Sequence, residues 1–346
     1  YVEHYEQNIA DDEYTMVGGR QTKTGTTDTL ADIDALKNVR TGFTYDHYTV
    51  QSSVITTVET NGSLNIEGDE TLVVRIYYTR NSYFLTISAS TGVASVSAEA
   101  DSLETANGNM TVRFGDTVTL IAENAAGYTI TGWTQNEDSA DVEISKAGEN
   151  YTFVMTDGNV SLTATATPNT DTPYRVNYYV QNADKSYVLA SAFTEYTITD
   201  PSNSYTGTTD TTVSIGTYSA VEFVGMSYAY YTAQSTTNGA EAVQSGSLNI
   251  DGDGSLVVNL YYSRDTYTLK INTGVGVSRV DVAEVAGIEQ ISTNTYSVMY
   301  NVNVSLTPHM ANDGYTFAGW DENVPEGETP VEISSDASRM PTRDVE

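Results

Sequence analysis

Residues 62–87 read GSLNIEGDETLVVRIYYTRNSYFLTI, and residues 246–271 read GSLNIDGDGSLVVNLYYSRDTYTLKI; 16 of the 26 positions are identical at a spacing of 184 residues. Repetition on this scale points to tandem modules rather than one large catalytic core. It also means that two solutions to one folding problem stand in one chain, so each local reading can be checked against its sister.

The correspondence extends beyond this segment. Val2-Glu3-His4-Tyr5-Glu6-Gln7-Asn8 matches Val176-Asn177-Tyr178-Tyr179-Val180-Gln181-Asn182, and Thr24 to Thr29 matches Thr206 to Thr211. A segment type A therefore covers residues 1–81 and again 174–264. Gly127-Tyr128-Thr129-Ile130-Thr131-Gly132-Trp133 matches Gly314-Tyr315-Thr316-Phe317-Ala318-Gly319-Trp320, Val118-Thr119-Leu120 matches Val304-Ser305-Leu306, and Met155 and Val160 match Met340 and Val345. A segment type B covers 82–170 and again 265–346, so the order is A-B-A-B. The first B runs on from Val160 as the alternating Ser161 to Ala166. The second reaches Glu346 where that strand should begin and is expected to be cut short. Tyr1 opens directly in a strand-like segment, so the chain reads as a piece of a longer protein.

The pattern is almost entirely β. Leu72 to Tyr78 and Thr117 to Ala122 are rich in β-branched and aromatic residues with partial alternation. The turns Glu67-Gly68-Asp69-Glu70 and Asp251-Gly252-Asp253-Gly254 read as hairpin connections. Leu30 to Lys37 has helix-like spacing at Leu30, Ile33 and Leu36. Its sister, Thr212 to Tyr218, alternates like a strand and contains Gly216, which opposes a helix. A strand followed by a short helical turn before Gly42 and Gly225 is expected in both. The joints Arg80-Asn81-Ser82 and Arg264-Asp265-Thr266 are short, and the B-to-A joint carries Pro168 and Pro173, which stiffen it. Short joints between compact units predict a semi-rigid, elongated rod.

Composition narrows the function. Fifteen Lys and Arg face 46 Asp and Glu, for a net charge of −31. Such a polyanion is repelled by nucleic-acid phosphates and by anionic membranes. The charges are interspersed and the chain is 39% hydrophobic and 10% aromatic, enough for packed cores rather than disorder. With no Cys, disulfides and thiolate metal sites are excluded. No apolar run reaches 18 residues, so no membrane-inserted helix is expected. A monomer is expected.

The residues resemble two repeat families. The Tyr-rich opening strand of A, its Gly-Thr-Thr region and the closing GSL…LVV…YY.R hairpin, Gly62 to Arg80 and Gly246 to Arg264, resemble MucBP-like repeats of Gram-positive surface proteins. In B, the strand Val118 to Ala122, the motif at Gly127–Trp133 and Gly314–Trp320, and Met155 and Met340 resemble the divergent InlB B-repeat family. These resemblances imply small β-grasp-like units, with Ig-like β-sandwich modules as the alternative. They imply a secreted or wall-anchored adhesin whose partners would be host mucin glycans or a host or bacterial surface protein.

A search for chemistry yields little. His4, His47 and His309 have no histidine in their sister positions and read as scattered surface residues, so a Ser-His-Asp or Cys-His site is not expected. Asp251-x-Asp253-Gly254 hints at a calcium loop, but Leu256-Val257-Val258 follows at once and Glu70 replaces Gly254, so turn chemistry is favoured. Paired carboxylates need a deep cleft to act as a glycosidase dyad. Lys23, Lys37, Lys146, Lys185 and Lys270 do not correspond between copies, which argues against Lys–Asn isopeptide bonds. Trp133 and Trp320 read as core anchors. Adjacent strand residues face opposite ways, so Tyr77 and Tyr78, and Tyr261 and Tyr262, each offer one ring to the core and one to solvent. These four tyrosines are the candidate ligand-binding residues. No catalytic, cofactor-binding or metal residue is assigned.

Overall fold

The computed structural model describes residues 1–54, 58–59 (backbone only), 64–238, 242–331 and 338–346. Contacts divide the chain into two compact units, Tyr1–Pro168 and Asn169–Glu346.

The first unit opens with β1 (Val2–Gln7), β2 (Tyr14–Gln21), β3 (Leu30–Ala31), β4 (Phe43–Gln51), β5 (Val58–Glu59), β6 (Leu64–Asn65) and β7 (Val73–Arg80). The sheet order is β2-β1-β7-β4-β5, with β1 and β7 parallel at its centre and the other neighbours antiparallel. First and last strands side by side in a mixed sheet are a β-grasp arrangement, with the crossing helix reduced to a 3-10 turn at Asp34–Leu36. Alternation along β7 buries Val74, Ile76 and Tyr78. They pack with Val2, Tyr48, Val50 and Leu64.

The unit continues through β8 (Ser82–Ala89), β9 (Val93–Glu99), β10 (Glu104–Ala106), β11 (Asn109–Arg113), β12 (Thr117–Asn124), β13 (Tyr128–Gln135), β14 (Ser145–Ala147), β15 (Asn150–Val154) and β16 (Val160–Pro168). These strands form two sheets, β10-β11-β8-β16-β13 and β14-β15-β12-β9. Both feed one core: Leu85, Val112, Trp133 and Leu162 come from the first sheet, and Val118, Leu120 and Phe153 from the second.

The second unit repeats the plan with β17 (Thr172–Gln181), β18 (Tyr187–Leu189), β19 (Asn203–Gly207), β20 (Thr212–Ser214), α1 (Ile215–Ser219), β21 (Met226–Gln234), β22 (Ser247–Asn249) and β23 (Val257–Arg264). The order β18-β17-β23-β21 again places a parallel pair, β17 and β23, at the centre. There follow β24 (Thr266–Lys270), β25 (Val277–Val282), β26 (Ile288–Ser292), β27 (Thr295–Met299), β28 (Asn303–Val304), β29 (Leu306–Met310) and β30 (Ser338–Arg339). The ribbon β24-β27-β26 matches β8-β11-β10, and the pair β25-β29 matches β9-β12.

The copy-against-copy reading of Leu30 to Lys37 agrees with the fold. A short strand precedes a single helical turn in both units, β3 before Asp34–Leu36 and β20 before α1. Two other expectations need correction. The GSL…YY.R segments are not hairpins. Both edges of β7 are occupied, by β1 and β4, so Leu64–Asn65 turns away to pair with β3; β22 likewise pairs with β20. Gly62 and Ser63 of that motif lie outside the described residues. Nor are all histidines at the surface, because His4 is 1% exposed.

Candidate functional site

The outward face of the first A sheet carries a cluster of four rings. Tyr77 on β7 stacks on Tyr5 of β1 at 5.0 Å and on His47 of β4 at 4.4 Å, and Tyr14 of β2 meets both Tyr77 and His47 edge-on. The second copy rebuilds the cluster. Tyr261 on β23 stacks on Tyr179 at 4.9 Å and on Tyr230 at 4.6 Å, while Tyr187 meets Tyr230 and Tyr261 edge-on. Each ring is half-buried, because cross-strand partners cover one another on a pleated face.

This geometry separates the four candidate tyrosines. Tyr77 and Tyr261 are central members of the outward clusters. Tyr78 and Tyr262 are 1% exposed and belong to the cores, so they are corrected from exposed candidates to buried residues. Tyr5, Tyr14 and His47 complete the first face and Tyr179, Tyr187 and Tyr230 the second, and these six were missed. The detectable signal was that His47 and Tyr230 fall near one another in the alignment of the copies; their strand pairing with β7 and β23 was not readable locally.

The surroundings of the two faces differ in charge. In the first, the buried Glu3 carboxylate accepts from Arg20 at 2.7 Å, Arg75 at 2.9 Å and the Tyr5 hydroxyl at 3.1 Å. Asp46 accepts from the Tyr14 hydroxyl at 2.8 Å and lies 2.8 Å from His47 Nδ1. Burial alone would raise the Asp46 carboxyl, but the hydrogen bonds from Tyr14 and His47 outweigh it and hold it below the usual range. In the second, Asn177 donates to Asn259 at 2.9 Å where Glu3 and Arg75 stand in the first. Burial raises the Tyr14 and Tyr230 phenols, so both hydroxyls keep their protons at neutral pH. Both faces offer aromatic surface and hydroxyls, and the first adds the Asp46–His47 pair.

The other candidates resolve into structural roles. Asp251 accepts from Thr236 and Thr237, and Asp253 from the Ser255 amide, so both serve turns. Lys37, Lys185 and Lys270 lie against Asp34, Glu289 and Glu346, and Lys146 lies over the Tyr151 ring. Trp133 is in the first B core, and Trp320 packs against the second. His309 pairs with Asp281 at 2.7 Å.

His4 lies within 3.3 Å of the Tyr78 hydroxyl and 3.2 Å of Asn38. Burial, and then the nearby charges of Arg40 and Lys23, hold its pKa below the ordinary 6.5. The folded state therefore binds fewer protons here than the unfolded chain. This contribution to stability is complete above pH 6.5 and is lost as the pH falls below it. Calorimetry of the first unit from pH 7.5 to 5 should show a falling Tm. His4→Tyr, which installs the residue of its sister Tyr178, should flatten that slope; an unchanged slope would refute the assignment.

A second repeated construction joins A to B within each unit. Gly42 (φ +76°) lies against the Phe114 ring, and Gly225 (φ +71°) against the Tyr300 ring; a Cβ would lie 2.2 Å from a ring carbon of Phe114 at Gly42 and 2.0 Å from one of Tyr300 at Gly225. The backbone ladder is the same in both. Asn81 and Asp265 donate to the glycine carbonyls at 2.9 Å, then accept from Phe114 and Tyr300 at 2.9 Å. The two arginines closing the A segments reinforce it differently. Arg80 donates to the Phe114 carbonyl at 2.7 Å and lies over the Phe43 ring. Arg264 is buried between Phe193 and Tyr196 with Glu195 at 2.6 Å, and Tyr196 in turn meets Tyr300 edge-on at 5.3 Å. Arg113 further ties the first B to the first A, donating to the Asp11 carbonyl at 2.7 Å and to Asp12 at 2.8 Å.

The fold is thus mainly β, built of small sheets repeated in tandem. Residues 92–170 match the model of the divergent InlB B-repeat domain, and that stretch is similar to this family. No curated protein matches the chain. Among solved structures it is similar to the Bacillus anthracis TIE protein at 10% identity and a TM-score of 0.28, over 75% of this chain and 50% of that one. The chain spans half the length of that protein, and a likeness of this size carries no argument about function. Among the described residues, no helix is long and apolar enough to cross a membrane.

Proposed function

We propose that this chain is a non-enzymatic spacer segment of a bacterial cell-surface adhesin, outside the cell and held to the wall by other regions. It consists of four modules, 1–81, 82–170, 174–264 and 265–346, and works mechanically by holding a distal domain away from the wall. The observation that carries this reading is the repeated glycine–aromatic joint. Two copies with different flanking residues keep the same close-packed contact between A and B, as a part that transmits orientation requires. The acidic surface keeps neighbouring chains apart. Small-angle scattering should give the profile of an elongated monomer, and a compact globule would sink the reading.

The repeated four-ring face favours a second reading, an adhesin module that binds mucin glycans or a surface protein through Tyr77 and Tyr261. A mucin pull-down and glycan array with the whole chain test it. Capture that falls at least about tenfold in Tyr77→Ala/Tyr261→Ala, a loss of roughly 1.4 kcal/mol, supports binding. Silence on both assays leaves the spacer.

A further inference from the structure

The two B segments make corresponding hairpin turns with different chemistry. β10 and β11 close on the pair Ala106–Asn109, which leaves Asn107 and Gly108 as a two-residue turn. Their φ angles are +52° and +81°, the left-handed pair that such a turn requires and that Asn-Gly adopts readily. In the second unit β26 and β27 close on Ser292–Thr295, and the turn is Thr293-Asn294. Asn294 is again left-handed, at φ +59°. The residue after it, however, is Thr295, which β27 pairs with both Ser292 and Lys270.

Asparagine before glycine carries a latent reaction. The backbone nitrogen of the second residue can attack the side-chain carbonyl carbon of the first and close a five-membered ring. Glycine obstructs this attack least, because it has no Cβ beside the nitrogen and the freest backbone. In a folded chain the reaction is restrained by hydrogen bonds that fix the amide and by packing that fixes the turn. Neither restraint acts on Asn107. Among the described residues its side chain makes no hydrogen bond. Every residue from Glu104 to Asn109 is exposed, and a Cβ placed on Gly108 would meet nothing within 4 Å. The chain has two further Asn-Gly steps, at Asn61 and Asn238. Asn61, Gly62 and Gly239 lie outside the described residues, but the Asn238 side-chain amide is held, donating to Ser235 at 2.8 Å and to the Asn249 carbonyl at 3.3 Å.

We propose that Asn107–Gly108 is a self-modifying site, converting to aspartate and isoaspartate with water as the only reactant, so that the first B segment changes with age and the second does not. The Gly108 nitrogen gives its proton to solvent and bonds to Asn107 Cγ. The Cγ–Nδ2 bond breaks, and Nδ2 takes up a proton and leaves as ammonia. Water then opens the cyclic imide. Attack at Cγ gives aspartate, and attack at the main-chain carbonyl carbon gives isoaspartate, with the chain routed through Cγ. Both products add one negative charge to the turn. Isoaspartate also adds a methylene to the main chain inside a turn closed by two residues, so the Ala106–Asn109 pair loses its register. β10 is the edge strand of its sheet and lies against β11. It therefore frays, while β11 stays paired with β8.

The test incubates the full chain at pH 7.5 and at pH 8.5 and follows each asparagine by mass spectrometry after proteolysis, with electron-transfer fragmentation separating isoaspartate from aspartate. Asn107 should convert at least about tenfold faster than Asn238 or Asn294, and within about tenfold of its rate in the free peptide Glu104–Thr111. Because the deprotonated nitrogen is the nucleophile, the rate should rise about tenfold over that pH unit. In the converted chain the amides of Glu104–Ala106 should exchange at least about tenfold faster, with β26 unchanged. Asn107→Gln, whose ring closure would need six members, should keep β10 protected through the same incubation. A slower rate than the peptide comparison allows, equal conversion of Asn294, or undiminished protection of β10 in converted chains overturns the proposal.

Discussion

Replacing Gly225 with valine should lower the stability of the second unit by about 2–5 kcal/mol and leave the first unit unchanged. Two effects add. A β-branched residue held at positive φ costs on the order of 1–2 kcal/mol, and forcing a side chain into a filled contact costs roughly 1–3 kcal/mol more. Here the filled contact is the Tyr300 ring, whose nearest carbon would lie 2.0 Å from the new Cβ. In calorimetry the transition of the second unit should fall by roughly 10 °C, since about 2–4 °C accompanies each kcal/mol in a unit of this size. Gly216→Ala is the control: its Cβ would meet Ser214 at 3.8 Å, an ordinary contact. Combining Gly225→Val with Tyr300→Ala should cost less than the sum of the two, because removing the ring relieves part of the clash. Additive losses would mean that the ring and the glycine are not packed together. Gly42→Val should act in the same way on the first unit through Phe114.

Tyr262→Ala should cost about 3–5 kcal/mol, as for other large core aromatics, while Tyr261→Ala, one residue away, should cost only about 1 kcal/mol. Tyr262 packs edge-on against Phe223 at 4.9 Å and against Tyr228 at 5.6 Å. Its hydroxyl donates to the Ser219 carbonyl at 3.1 Å. Truncation opens a cavity and leaves that carbonyl without its donor; Tyr262→Phe, which keeps the ring, should cost about 1 kcal/mol. Tyr261 loses only ring–ring contacts on the outward face. Urea midpoints of the three variants decide the matter. Equal losses from Tyr261→Ala and Tyr262→Ala would show that the outward face is itself a covered core and could not meet a ligand.

These contrasts show where the local pattern stopped being informative. The repeat, the β content and the strand-then-turn at Leu30 to Leu36 were legible, because each depends on neighbours in the chain and the copies checked one another. Alternation also established that Tyr77 and Tyr78 face opposite ways. It could not say which of them faces inward. That depends on which side of β7 meets the core residues Val2, Tyr48 and Val50, a non-local fact. The burial of His4 has the same cause: β1 lies beside β7, 72 residues away in sequence, with His4 opposite Ile76. A polar imidazole in a strand looks like a surface residue until that pairing is known. The turn at Glu67–Glu70 looked like a hairpin because two strands flank it, yet β7 had both edges taken.

The repeated sequence by itself therefore determined the A-B-A-B correspondence, the strand periodicity and the turn chemistry, all of which arise within a few residues. Only the tertiary structure decided which tyrosines form the outward clusters, that Gly42 and Gly225 are seats for rings from the next segment, and that one motif becomes strand β13 at Tyr128–Gln135 but no strand at residues 314–320. The last case gives the physical reason most plainly. A β-strand is held by hydrogen bonds to a partner distant in the chain, as β13 is by β16, and seven residues by themselves do not specify that pairing.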